Sequence, residues 1–201
     1  MTIRFEILSA LAAFAFVASI TPGPNNLMLM TSGVKFGFAR TAPHLIGVIL
    51  GFGLMIVLVG LGLNVVFERF PSVLPVMRVV GSVYMLWLAL KIALAKPVHA
   101  RECASRPIGF FGAAAFQWVN PKAWVMVLSM LSTYSGLSDE YVRSVLLIAV
   151  LCALITIPCS GAWALFGSSM RQFLGNPRTA RLFNFAMATL LAASIVPIFF
   201  E

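Results

Sequence analysis

The chain carries uncharged apolar runs at 45–67, 144–170 and 182–200, each long enough to cross a bilayer as a helix. A hydrocarbon core about 30 Å thick needs about 20 helical residues. Two further apolar runs are interrupted: 7–34 by Thr21, Pro22, Gly23, Pro24, Asn25 and Asn26, and 107–138 by Asn120, Pro121 and Lys122. Lipid-facing backbone has no water to bond to, so such breaks survive only against protein or a water-filled cavity. A sixth stretch, about 74–95, has its uncharged centre between Arg78 and Lys91, whose long side chains reach opposite interfaces. Six spans result, in an all-α polytopic membrane protein. Composition agrees, because 61% hydrophobic and 10% charged residues leave too little polar surface for a soluble domain of this length. Arg4 ahead of an apolar run imitates a secretory signal, but Phe16 spoils the cleavage site at Val17-Ala18 and five more spans follow.

The two breaks occupy matching places in the two halves. With three spans per half, the second half enters the membrane from the opposite side, so a repeat is inverted. The expected architecture is two inverted three-helix repeats, about 1–95 and 108–201, with broken first and fourth helices. A cytoplasmic link at about 96–107 joins them within a single transmembrane domain, 1–201. Arg78 and Arg181 open the third and sixth spans, and Leu88-Ala89 matches Leu191-Ala192 ten residues further on. Gly47 and Gly51 in span two have the GxxxG spacing of close helix approach. Packing within one subunit is the plain reading of that pair, and a homodimer interface is the alternative.

Net charge of +8 raises nucleic acid as a partner, but the basic residues are scattered among short loops, which fits a lipid bilayer and no nucleic acid. Alternating the loops puts Lys35, Arg40, Lys91, Lys96, Arg101, Arg106, Arg171, Arg178 and Arg181 on one side. Arg4, Arg69, Arg78 and Arg143 fall on the other. The positive-inside rule makes the richer side cytoplasmic and puts both termini in the periplasm.

At the first break Pro22 and Pro24 donate no hydrogen bond, so the helix from Glu6 stops or kinks near Thr21. Asn25 or Asn26 is expected to cap a new helix from Leu27. At the second, Asn120 suits an N-cap and Pro121 the first helical position. Each break then offers a helix N-terminus, whose free N–H groups and dipole favour an anion such as a carboxylate. Lys122 strengthens that preference, or else snorkels to an interface. Asn25, Asn26, Asn120 and Gln117 supply amides that both donate and accept. The collection suits a small zwitterion, and the alternative for either break is a structural kink. Tyr84 and Asn184 either line the cavity or bond between helices. Trp87, Trp118, Trp124 and Trp163 read as packing or interface anchors. His44, at the start of span two, reads as an interface histidine or, alternatively, a titrating coupling group.

Cys152 and Cys159 lie about 10 Å apart along one helix, beyond disulfide reach, and Cys103 stands alone. With only His44 and His99, no metal spacing arises, and no cofactor is implied. The spans lack the convergent carboxylates, histidines or nucleophile–base pair of an enzyme.

At the breaks the sequence resembles the LysE/RhtB family of bacterial amino-acid exporters. The matching motifs are Thr21-Pro22-Gly23-Pro24-Asn25-Asn26, then Gly37-Phe38-Ala39-Arg40-Thr41, then Phe116-Gln117-Trp118-Val119-Asn120-Pro121-Lys122-Ala123. The resemblance covers essentially the whole chain. It implies efflux of amino acids across the bacterial inner membrane, driven by the proton gradient, with facilitated export as the alternative because no Asp or Glu lies deep in a span. The double Asn after Pro24 is similar to the cysteine/O-acetylserine branch. With no acidic residue deep in a span, a small neutral amino acid fits better than a cationic one. Alternatives are homoserine, threonine or another small polar metabolite as cargo, or a structural subunit of a membrane complex.

Overall fold

The computed structural model describes residues 5–63, 72–95, 107–134, 137–138 and 140–196. The expectations for Arg4, Arg69, Lys96, His99, Arg101, Cys103 and Arg106 lie outside these residues, as does most of the link. All regular structure among the described residues is helical. Helix α1 spans Phe5–Ile20, α2 Pro24–Phe36 and α3 Phe38–Leu58, the last running into a wider turn at Val59–Leu63. Helix α4 spans Val73–Ala93 and α5 Phe110–Phe116, extended by a 3-10 turn at Gln117–Val119. Helix α6 follows at Pro121–Tyr134, α7 at Tyr141–Met170 and α8 at Pro177–Ala193.

By length and composition two helices can cross a membrane, α3 (continued to Gly62) and α7, and the α1–α2 pair makes a third if its 52° bend lies within one span. Helix α8 begins earlier than the uncharged run 182–200. Asn176 caps it by accepting from the Arg178 N–H at 2.9 Å, and Pro177 takes the first position, so the helix starts in a charged turn that hydropathy alone leaves out. The outward faces are apolar: Val79, Val83 and Leu90 on α4, Val150 and Leu154 on α7, and Leu182 and Phe185 on α8 are all exposed. A water-facing protein rarely shows so continuous an apolar surface.

Helix α7 is the hub, packing against α1, α2 and α3, while α4 pairs with α8. Small residues set the closest approaches. A Cβ on Gly33 would meet the Ala164 carbonyl, and one on Gly167 the Met30 carbonyl, so α2 and α7 touch backbone to backbone. Gly47 and Gly51 of α3 meet Phe110 and Ala114 of α5 in the same manner. That stripe is thus covered within one chain, the plainer of its two readings. One core cluster joins Leu11, Met55, Val127, Met130 and Ile148 from four helices, and another joins Leu27, Met85 and Leu191. These contacts hold the two breaks against each other at the centre. Cys152 and Cys159 are buried and unpaired on α7.

Candidate functional site

The first break strips five carbonyls, Ala18 to Pro22, of the N–H groups that residues 22–26 supply in an unbroken helix. Each receives a side-chain donor instead. The Thr21 hydroxyl donates to Ala18 O at 3.0 Å. Asn26 Nδ2 donates to Ser19 O at 2.7 Å and to Thr21 O at 2.9 Å. Trp163 Nε1, from α7, donates to Ile20 O at 3.0 Å. Lys122 Nζ donates to Thr21 O at 2.9 Å, Thr21 Oγ1 at 2.8 Å and Pro22 O at 3.2 Å. A backbone gap in a low-dielectric interior is thereby closed, as it must be where water is scarce.

Helix α2 starts at Pro24 with Gly23 as its N-cap, and no side chain caps it. The expected cap by Asn25 or Asn26 is therefore corrected. Both residues lie inside the first turn, where their side chains have other partners. Asn26 turns back to the end of α1 and also accepts from Ser160 Oγ of α7 at 3.2 Å. Asn25 pairs reciprocally with Gln117, Nδ2 to Oε1 at 2.8 Å and Gln117 Nε2 to Asn25 Oδ1 at 3.2 Å. Gln117 is fully buried and also donates to Ala113 O at 2.9 Å. Among the described residues the backbone N–H groups of Gly23, Asn25 and Asn26 meet no acceptor, leaving three donors at a positive helix end.

At the second break Asn120 Oδ1 accepts from the Lys122 N–H at 3.2 Å, and Pro121 opens α6. Lys122 links the two breaks, because its side chain lies against Gly23 while its ammonium sits on the Thr21 and Pro22 oxygens. A cavity of about 40 Å³ lies between them, lined by Ser19, Asn25, Asn26, Asn120, Lys122, Thr156 and Ser160 on its polar side and by Val48, Phe52 and Met126 on its apolar side. A single water needs about 10–15 Å³ of such space, so the cavity as it stands has room for about three waters. Lys122 and Thr21 also border an apolar cavity of about 370 Å³ between α1, α6 and α8.

Thr21, Pro22, Gly23, Pro24, Asn25, Asn26, Gln117, Asn120 and Lys122 are thus brought together around the breaks. Pro121 faces α4 instead, packed against Gly81. Tyr84 stacks with Trp87 and Phe116, ring centroids 5.7 and 6.1 Å apart. Asn184 bonds between helices, donating to Ala95 O at the end of α4 at 3.0 Å. Sequence reasoning missed Thr156 and Ser160 and read Trp163 as a packing or interface anchor. Nothing in the apolar run of α7 marks them, although a buried indole N–H needs an acceptor and the break has one to offer.

Apolar outer faces, with two helix breaks meeting at a small cavity, mark a membrane protein. The chain matches the LysE type translocator family over residues 16–196 and belongs to it. It is 30% identical to the cysteine/O-acetylserine efflux protein of Escherichia coli (strain K12), over 96% of this chain and 98% of that one. With the cysteine/O-acetylserine efflux protein of Salmonella typhimurium (strain LT2) the identity is 29% over the same shares. No solved structure matches the chain.

Proposed function

We propose that this protein exports small neutral amino acids or close derivatives, cysteine and O-acetylserine among them, across the bacterial inner membrane. The observation that carries the reading is the meeting of two helix breaks, about a hundred residues apart in sequence, around one cavity with asparagines and a lysine in its wall. The substrate carboxylate meets the free N–H groups of α2 and the Lys122 ammonium, and its ammonium meets the amide oxygens of Asn25, Gln117 or Asn120. The only acidic residues among those described, Glu6 and Glu140, lie at the starts of α1 and α7. A cationic cargo side chain would find no counter-charge there, which favours neutral cargo.

In this reading the chain makes six spans: α1–α2, α3, α4, α5–α6, α7 and α8. Exchanging spans one with four and two with five turns the α1–α7 contact into the α3–α5 one, which supports an inverted repeat. The α3–α7 and α4–α8 pairs map onto themselves. The proton gradient is the proposed energy source, and both termini lie in the periplasm.

The test is extracellular accumulation of cysteine, O-acetylserine and a wider amino-acid panel from cells overproducing the protein. Asn25→Ala and Asn120→Ala variants at equal membrane levels run beside it. Accumulation of one or two small neutral amino acids, lost in both variants, is expected. Accumulation that survives both would remove the cavity from the export path.

A further inference from the structure

Two sets of hydrogen bonds bridge the two breaks, and they occupy corresponding places. Asn25 is the second residue of α2, after Pro24, and Lys122 is the second residue of α6, after Pro121. Each reaches the end of the half-span that precedes the other break. Asn25 meets Gln117, in the 3-10 turn that extends α5. Lys122 meets Thr21 and Pro22, just past the end of α1. Exchanging span one with span four therefore turns one bridge into the other.

The bridges lie on opposite sides of the small cavity. Helices α1 and α6 lead from the breaks toward one end of the molecule, where the Phe14 and Tyr134 ring centroids are 6.1 Å apart. Helix α2 leads toward the other end, where it finishes at Phe36 and α3 begins. Helix α5 runs alongside α3 in the same direction, with Phe110 at Gly47 and Ala114 at Gly51, so it approaches its break from that same end. Lys122 thus spans the α1–α6 side, and the Asn25–Gln117 pair spans the α2–α5 side. Behind Lys122 lies the cavity of about 370 Å³, and Ala18, Lys122 and Met126 form the wall it shares with the small one.

Both bridges are complete at once. An ammonium has three N–H groups, and those of Lys122 are matched by three oxygens. The Asn25 and Gln117 amides exchange donor and acceptor. The space between them has room for about three waters, too little for an amino acid, so cargo enters only when a bridge parts.

We propose that these bridges are the two gates of the transporter, Asn25–Gln117 toward the cytoplasm and Lys122 on Thr21 and Pro22 toward the periplasm. The inference rests on the six-span export reading above. A zwitterion competes with both gates, because its carboxylate draws Lys122 off the α1 oxygens and its ammonium draws an amide oxygen out of the Asn25–Gln117 pair. Bonds to an ionised group are about twice as strong as neutral ones, so the periplasmic gate is the tighter of the two. That order suits an exporter, which must stay shut to the outside while it admits cargo from within.

Thiol labelling tests this. Thr156 lines the small cavity between the bridges and is 5% exposed. With Cys103→Ser, Cys152→Ala and Cys159→Ala, Thr156→Cys carries the only thiol in the chain. A charged, membrane-impermeant methanethiosulfonate is applied to right-side-out and to inverted vesicles, and labelling should be slow from both faces. Gln117→Met and Lys122→Met keep the side-chain length and lose the bonds. Gln117→Met should speed labelling about tenfold from the cytoplasmic face, the effect of two interhelical bonds, and Lys122→Met at least as much from the periplasmic face. Asn25→Leu breaks the first bridge from its other end and should match Gln117→Met, which a folding defect peculiar to one variant would not do. Acceleration from one face by both methionine variants, by only one of them, or by neither would overturn the two gates. Because labelling needs no cargo, export with unaltered labelling removes the gates alone. Opposite-face labelling without export removes the choice of cargo and keeps the gates.

Discussion

Replacing Asn26 with alanine removes three hydrogen bonds from a side chain that is 5% exposed. Thr21 O keeps Lys122 as a partner, whereas Ser19 O loses its donor and the Ser160 hydroxyl loses its acceptor. Two orphaned buried groups cost about 2–6 kcal/mol on the scale of soluble proteins. Interhelical bonds in membranes average about 0.6 kcal/mol, which sets a floor of about 2 kcal/mol for three of them. At about 2–4 °C per kcal/mol for a chain of this size, Tm should fall by at least about 4 °C. Asn25→Ala, one residue away, frees only Gln117, which keeps its bond to Ala113 O, and the expected cost is about 1 kcal/mol. In a Cys103→Ser background a fluorogenic thiol dye reads both in detergent, since Cys152 and Cys159 are buried and react only as the helices part. The expected order is a large fall for Asn26→Ala and a small one for Asn25→Ala, with export lost in the latter. An unchanged melting curve for Asn26→Ala, or the reverse order, would refute the account of how the break is closed.

Gly167→Val drives a side chain into the Met30 carbonyl, and overpacking of this kind should cost about 1–3 kcal/mol, read as a lower Tm on the same dye assay. Lys122→Met should bring export to background, and Lys122→Arg should not restore it. The Thr21 and Pro22 oxygens converge on a point-like ammonium that a planar guanidinium does not replace; export assays at matched expression decide it. Alkaline phosphatase fused to the C-terminus should be active if the proposed orientation holds, in which the side with nine basic loop residues against four is cytoplasmic. An inactive fusion beside a fluorescent C-terminal GFP fusion would reverse the orientation.

Several features were readable along the chain because they depend on local chemistry. Helix α7 announces itself as an uncharged run, since crossing hydrocarbon leaves few alternatives to an apolar helix. Asn120 and Pro121 read as a cap and a first position, because capping involves groups two residues apart. The first break was legible as well, although proline by itself does not signal one: Pro158 lies inside α7 without interrupting it. Two prolines around a glycine do, because they remove two donors from one turn.

The partners of that break were not legible. Asn25 and Asn26 have the same chemistry and adjacent places, yet one closes the end of α1 and the other meets Gln117, 92 residues on. Trp163 serves Ile20 O across 143 residues, and His44 is enclosed rather than at an interface. Such pairings depend on which helix faces which, and that is set by the glycine contacts of α2 with α7 and α3 with α5. The sequence by itself determined a helical, membrane-embedded chain with two helix breaks, because bilayer hydropathy and proline chemistry act within a few residues. Only the tertiary structure decided that the breaks share one cavity bridged by Lys122, because hydrogen bonds between distant segments follow from packing that no local pattern encodes.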